Sequence, residues 1–249
     1  MMFDAIGQWL NEQRELFILN FIDESRWKLL LTGLGNTLLI TLFATLIGIF
    51  LGIIVAAVRT TYDKNGEAMA FHKSIGYYVL KIANVLCKLY LTVMRGTPVV
   101  VQLLIAYFII FASSDNGIMV AIFAFGVNSG AYVAEILRGG IMSIDNGQFE
   151  AGRSLGFNYL QTMIYIVIPQ AIKTALPSLL NEFIALLKET SVAGYVGLVD
   201  ITKAGAIIRG RTFSAFMPLI AVALVYLILV TLLTWAVSKI ERRLRKSER

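Results

Sequence analysis

Cysteine and histidine are nearly missing from this 249-residue chain, which holds one of each, Cys87 and His72. A lone cysteine excludes an internal disulfide framework and a cysteine-based metal cluster, and in its apolar helical stretch Cys87 reads as a small buried hydrophobe. His72 stands in a hydrophilic loop with no acidic or cysteine partner at ligand spacing, so it reads as a solvated residue and metal catalysis is unsupported. No Ser-His pair and no His/Asp/Glu cluster has a spacing suited to a membrane-embedded enzyme. The Gly-x4-Gly-Lys-Ser/Thr loop that cradles phosphates is also absent, so the chain is not expected to hydrolyse ATP itself. Charge is scarce, at 15% of residues, too little for an ordinary soluble domain. The N-terminus lacks a basic segment leading into an apolar one, so no cleavable leader is expected and this segment should persist in the mature protein.

Apolar residues fill the space left by charge. They make up 57% of the chain and the mean hydropathy is +0.74, which places the protein in a bilayer. A spanning helix needs roughly 20 mainly apolar residues. Runs of that kind recur at about Leu29 to Val58, Val99 to Phe111, Ile118 to Val133, Met163 to Leu187 and Phe216 to Val237. The expectation is an all-α membrane protein of about five transmembrane helices. No repeat, low-complexity tract or linker divides it, so one membrane domain over residues 29–240 is expected, with an extracytoplasmic arm at 1–28 and a basic tail at 241–249.

The net charge of +6 forms no basic face studded with aromatics, so nucleic acid is not an expected partner. The cations sit in loops beside apolar runs and read as topology signals. Arg59, Lys64, Lys73 and Lys81 follow the first span, and Lys239, Arg242, Arg243, Arg245, Lys246 and Arg249 follow the last. Both segments are therefore expected in the cytoplasm, in contact with lipid headgroups. An extracytoplasmic start and a cytoplasmic end require an odd number of spans, and the loop from Arg138 to Met163 then falls inside. The loop from Lys188 to Ser214 falls outside despite Lys188, Lys203, Arg209 and Arg211. Its small residues, Ala193-Gly-Tyr-Val-Gly197 and Ala204-Gly-Ala206, suit a segment that folds back against the bundle.

Several polar residues lie where a bilayer makes them costly. Lys81, Asn84, Lys88, Thr92 and Arg95 recur three or four apart and share a helical face. The face fits either an interfacial helix or the inner half of a broken second span. Pro98 interrupts the helix just past this face, since it has no amide hydrogen and disfavours a helical Thr97. Glu135 and Arg138 stand three apart on one face, either as a stabilising pair or as a lining of a path or partner contact. Asn128, Ser129, Gly130 and Tyr132 form a small polar patch that permits close helix packing or offers hydrogen bonds to a solute. Glu182, Lys188 and Glu189 read as charges near the outer boundary of the fourth span, with Thr190 and Ser191 directly after them.

One loop departs from the membrane pattern: Glu150-Ala-Gly-Arg-Ser-Leu-Gly156, then Ile166 and Pro169. It resembles the EAA loop of ABC importer permeases, in which Glu-Ala-Ala is followed by three residues, Gly, nine residues, Ile, one residue and Leu-Pro. Gly152 replaces the second Ala and Ile168 the Leu. Further segments are similar to the polar amino acid branch of that family: Arg95-Gly-Thr-Pro98 with Gln102, Ala131-Tyr with Glu135 and Arg138-Gly-Gly-Ile141, Gly147-Gln148, Pro169-Gln-Ala171 and Leu187-Lys-Glu-Thr-Ser191. The likeness spans about Thr32 to Ile240, with Glu189 in place of an aspartate and a longer stretch from Arg59 to Lys81.

The resemblance implies the type I ABC importer (MetI-like) fold with a cytoplasmic coupling helix, in the cell membrane. It implies an ABC ATP-binding partner subunit that uses ATP and Mg, with no cofactor bound by this chain. An extracytoplasmic amino-acid-binding protein, a second permease copy or paralogue and an amino-acid substrate are implied as further partners. Gln148, Glu150, Ala151, Arg153 and Gly156 become the candidate coupling residues, Gly156 permitting a tight turn and Glu150 also suiting a helix N-terminus. Arg95, Thr97, Asn128, Ser129, Tyr132, Glu135, Arg138, Thr190 and Ser191 become the candidate solute path. A secondary transporter or channel working without ATP is the alternative.

Overall fold

The computed structural model describes residues 2–71 and 75–246; nothing is described of the side chains of residues 2–5, 65–69, 71 and 244–246. His72 and Lys73 lie outside the described residues. Among the described residues every regular element is helical: α1 (Met2–Phe17), α2 (Trp27–Phe71), α3 (Ile75–Gly96), α4 (Val99–Ile105), α5 (Gly117–Met142), α6 (Asn146–Ser154), α7 (Tyr159–Thr162), α8 (Ile168–Glu189), α9 (Ile201–Thr212) and α10 (Phe216–Lys246). Five helical stretches among them are long and apolar enough to cross a membrane: Trp27–Lys64, Ile75–Gly96, Gly117–Met142, Tyr159–Val196 and Phe216–Arg243.

Helix α5 is the centre of the bundle, and small residues determine how α2 meets it. Ala44, Gly48 and Gly52 recur every fourth residue on α2, as Gly126, Gly130 and Ala134 do on α5. A Cβ added at Gly52 would stand 2.4 Å from Val133 Cγ1, and one at Gly126 would stand 2.8 Å from Ile47 Cβ. Backbones can approach this closely only where the side chains are missing, which is how helices associate in lipid. Within α2 the hydroxyls of Thr41 and Thr45 donate to the carbonyls four residues back, at 2.7 and 2.8 Å, so neither hydroxyl is left to face hydrocarbon. The stretch after Arg59, expected as a loop, instead continues the helix to Phe71, because no proline interrupts it.

The second span departs from the apolar run at Val99 to Phe111 and follows the reading of the polar face as the inner half of a broken span. Val99–Ile110 is a short apolar helix, and the apolar stretch of spanning length precedes it as α3. The contacts of α3 set its depth. Asn84 accepts from Arg59 of α2 at 3.4 Å, Tyr90 Oη donates to Val127 O at 2.6 Å, and Asn128 Nδ2 donates to Met94 O at 3.2 Å. Asn128 is eleven residues into α5, about 17 Å at the helical rise of 1.5 Å per residue. The end of α3 therefore lies midway along α5, and α3 with α4 forms one span broken at Thr97-Pro98. The polar face expected on α3 is divided: Asn84 is buried and Arg95 reaches α5, whereas Lys81, Lys88 and Thr92 are exposed. Cys87 is partly buried and packs with Tyr90 and Met94 against Leu91 and Ala131.

The segment after α8 folds back onto the bundle. Ala193, Val196, Ile201, Ala204 and Ile208 are buried, α9 lies between α2 and α10, and Asn36 of α2 donates to Val199 O at 2.9 Å. Asp200 is fully buried and caps α9 by accepting from the amides of Thr202 and Lys203. Burial pushes its carboxyl up, and those amide hydrogen bonds oppose the rise. The N-terminal arm is tied to the end of α9. Buried Asn20 accepts from Thr212 Oγ1 at 2.8 Å and donates to Ser214 Oγ at 3.1 Å, and Arg26 donates to Leu19 O.

Candidate functional site

The Glu150 loop folds as α6, a helix held at both ends and along one side. Asp145 caps its start by accepting from the amide of Gly147. Its end is a Schellman closure: Phe157 N donates to Gly152 O at 3.0 Å, Gly156 N donates to Arg153 O at 2.9 Å, and Gly156 adopts φ +81°. Only glycine takes that conformation without a Cβ penalty. Asn158 and Gln161 then form a reciprocal capping box that starts α7, which satisfies the amides left free by the turn.

Three contacts tie α6 to the spans. Lys64 Nζ of α2 donates to Asn146 Oδ1 at 2.9 Å and lies 4.7 Å from the centroid of the Phe149 ring. Gln170 Nε2 of α8 donates to Gln148 Oε1 at 3.2 Å. Gly152 is buried against Thr162, and a Cβ there would stand 2.7 Å from both Thr162 Oγ1 and Cγ2. Glu150, Ala151 and Arg153 are exposed. The arrangement is a short rigid helix fastened to two spans, whose exposed charges border one cavity with the fastening residues Lys64, Asn146 and Thr162. Lys64, Asn146, Thr162 and Gln170, which provide the fastening, are not among the residues expected from sequence. Lys64 reads there only as a topology signal, and nothing in sequence separation pairs it with Asn146.

The break in the second span carries the central polar cluster. In an unbroken helix the Met94 carbonyl would accept from the residue four positions on, which is Pro98 and has no amide hydrogen. Gln102 Nε2 at 2.9 Å and Asn128 Nδ2 at 3.2 Å donate to that carbonyl instead. Gln102 Nε2 also reaches Thr97 O and Thr97 Oγ1, and its Oε1 accepts from Asn128 at 2.9 Å. Asn128 and Thr97 thus meet at the break, with Gln102 as the unexpected third member. One residue on, buried Ser129 donates to Glu182 Oε1 of α8 at 2.9 Å. Glu182, expected at an outer boundary, therefore lies level with the centre of α5.

Below the break runs a chain of charges. Arg95 lies 3.8 Å from Glu135 Oε2 and 5.8 Å from the centroid of the Tyr132 ring. The same Glu135 oxygen accepts from Arg138 at 3.2 Å, and Arg138 reaches Asp63 of α2 at 3.4 Å. Four charged groups from α2, α3 and α5 alternate in sign, so each offsets the desolvation of its neighbours. Thr190 lies apart. It is fully buried, and its hydroxyl donates to Leu187 O at 2.7 Å. It stands eight residues past Glu182, about 12 Å along a helix. Ser191 beside it is half-buried. The structure thus brings seven of the nine expected path residues around the break and the charge chain, and places Thr190 and Ser191 elsewhere.

Residues 69–246 match the family profile for the binding-protein-dependent transport system inner membrane component. The chain is 34% identical over 209 residues to the glutamine transport system permease protein GlnP of Escherichia coli K12, covering 82% of this chain and 90% of that one. It is 33% identical over 222 residues to the arginine transport system permease protein ArtQ of Bacillus subtilis, covering 88% and 94%. Among solved structures, a crystal structure of an amino acid ABC transporter with histidines superposes with a TM-score of 0.76 at 36% identity, covering 90% of this chain and 98% of that one. An inward-facing form of the MetNI methionine ABC transporter superposes with a TM-score of 0.71 at 21% identity, covering 88% and 97%, a likeness of fold.

Proposed function

Because the chain belongs to the family of binding-protein-dependent transport system inner membrane components, we propose that it forms the transmembrane path of an ATP-driven importer for polar amino acids. The permease is multi-pass in the membrane. The end carrying α6 is cytoplasmic, where the cations of α2 and α10 also lie, as the positive-inside rule requires. Glu150 and Arg153 meet an ABC ATP-binding subunit that holds ATP and Mg. A secreted amino-acid-binding protein delivers solute at the opposite end, and a second copy or a paralogue completes the path.

The observation that carries this reading is the fastening of α6. A docking helix that was free to rotate would absorb the motion of its partner. This one is closed by Gly156, bonded to α8 through Gln148 and to α2 through Asn146. Closure of the ATPase dimer therefore moves α2 and α8 with α6 as one body, and those two helices flank α5 at the polar centre. At that centre Glu182 and Ser129 suit a solute ammonium, and Arg95 suits a solute carboxylate, with Tyr132 stacked beside it.

Reconstitution of the chain with its ATPase and binding protein tests the reading. Solute-stimulated ATPase and uptake are expected for polar amino acids. Glu150→Gln and Gly156→Ala are expected to leave the chain in the membrane while separating hydrolysis from uptake. ATP-independent uptake by the purified chain alone would establish a secondary transporter and overturn the proposal.

A further inference from the structure

Two cavities that share Tyr159 lie outside the polar centre, one walled by α2, α5 and α8 and the other beside α6. The first, of about 420 Å³, is lined by apolar side chains including Ile53, Ala57, Leu137, Leu160 and Ile172. The second, of about 360 Å³, is lined by Lys64, Asn146, Glu150, Arg153 and Thr162. Tyr159 lines both. Moving from one to the other, the walls change from hydrocarbon to hydroxyls to cations.

Thr60 marks the boundary. It is 1% exposed, lines the apolar chamber, and its Oγ1 has no hydrogen-bond partner among the described residues. Thr41 and Thr45 on the same helix do bond to the carbonyls four residues back. A buried hydroxyl left free in this way costs about 1–3 kcal/mol, so its natural partner is an acceptor in the cavity. Lys64 stands four residues further along the same face, about 6 Å away.

We propose that these cavities bind one anionic phospholipid of the surrounding bilayer. An acyl chain fills the apolar chamber, a glycerol ester carbonyl accepts from Thr60, and the phosphate sits against Lys64 and Arg153. Glu150 is the single carboxylate among the lining residues of the headgroup chamber, which leaves a net charge of plus one there. Among the described side chains of α2, the carboxylate next to Lys64, Asp63, is turned to Arg138. A second copy of this chain is the poorer occupant, because a helix 10–12 Å across would fit only about one turn into such a volume. The inference shares Arg153 and Glu150 with the docking face proposed above, and its test reads lipid binding by the chain without its partners, so either reading can fail alone.

Leu160→Trp places a fluorophore in the wall at an exposed position. The full chain carrying it is reconstituted in phosphatidylcholine vesicles containing brominated phosphatidylglycerol or, at equal mole fraction, brominated phosphatidylcholine. The parent signal from Trp9, Trp27 and Trp235 is subtracted. Phosphatidylglycerol is expected to quench with about fivefold higher apparent affinity, the factor that one net basic charge supplies at close range. Lys64→Gln with Arg153→Gln is expected to abolish that preference, and Ala57→Phe to reduce quenching by both lipids. Equal quenching by the two lipids, a preference that survives the double replacement, or unchanged quenching in folded Ala57→Phe would each overturn the proposal. Cross-linking of two chains through Ile53→Cys in a Cys87→Ala background would put a second copy in the chamber and overturn it too.

Discussion

Replacing Gly152 by alanine restores the residue that the EAA pattern carries at this position, yet the structure gives it an adverse effect. The new methyl would meet Thr162 Oγ1 and Cγ2 at 2.7 Å and Cβ at 3.2 Å, about 1 Å inside the usual carbon contact. Thr162 cannot rotate out of the way, since both branches of its side chain face the glycine and its hydroxyl is bonded to Asn158 O at 3.0 Å. It is also 2% exposed, leaving no solvent to move into. Relief must come from α6 tilting away from α7, at the cost of overpacking, about 1–3 kcal/mol. The strain falls on the seat of α6, the proposed coupling helix, so Gly152→Ala is expected to lower the thermal midpoint of the purified chain and to weaken solute stimulation of the partner ATPase. Thr162→Ala removes both offending atoms, and the double mutant is expected to recover most of each loss, an interaction energy of about 1–2 kcal/mol. A single mutant equal to the parent in midpoint and stimulation, or a double mutant that is worse than the sum, would refute the steric account.

Gln102→Leu removes the amide that bridges the Thr97-Pro98 break and is expected to destabilise the chain by about 1–3 kcal/mol, read by thermal unfolding in detergent; Asn128→Leu should act in the same direction, and the pair should be non-additive. Asp200→Ala should cost about 1 kcal/mol through loss of the α9 cap, with Asp200→Asn milder. Because burial raises the Asp200 carboxyl, its contribution to stability is fully present below the unfolded carboxylate value and is lost as pH rises through the folded one. Asp200→Asn should therefore flatten the pH dependence of the midpoint across that window. Arg138→Gln severs Glu135 from Asp63, but these side chains are 25–27% exposed, so a loss of no more than about 1 kcal/mol is expected; a larger loss would show that the pair is dry.

Element types were legible wherever composition decides the environment. The first, third, fourth and fifth spans lie where apolar runs indicate, because a bilayer leaves a long hydrophobic helix one placement. The small residues of Ala193 to Ala206 likewise announced a segment packed against the bundle. The second span was legible only as one of two readings of its polar face, for a physical reason. Its inner half, α3, is the least apolar of the five stretches of spanning length, because Lys81, Asn84, Lys88 and Arg95 interrupt it. Its polar groups are met partly by α2 and α5, through Arg59 to Asn84 and Arg95 to Glu135, and those partners are distant in sequence. Gly156 stood out because a single backbone conformation explains it, whereas Lys64 did not, since its partner Asn146 is 82 residues away.

The break at Pro98 shows where a local rule could have reached further. A proline inside a spanning helix orphans one specific carbonyl, that of the residue four positions before it, here Met94. In water the loss is met by solvent; at mid-membrane only a side chain can meet it. The rule therefore demands an amide or hydroxyl within reach of Met94, and Gln102, two turns on, is the first residue after Pro98 whose side chain carries an amide. Such a residue bridges both sides of the break, as its bonds to Met94 O and Thr97 O do. What the rule cannot supply is Asn128, because its approach depends on α5 coming close enough to α2 and α3 for a side-chain amide to span the gap. That closeness comes from Gly126 and Gly130, so the polar centre is set as much by the residues that lack side chains as by those that donate.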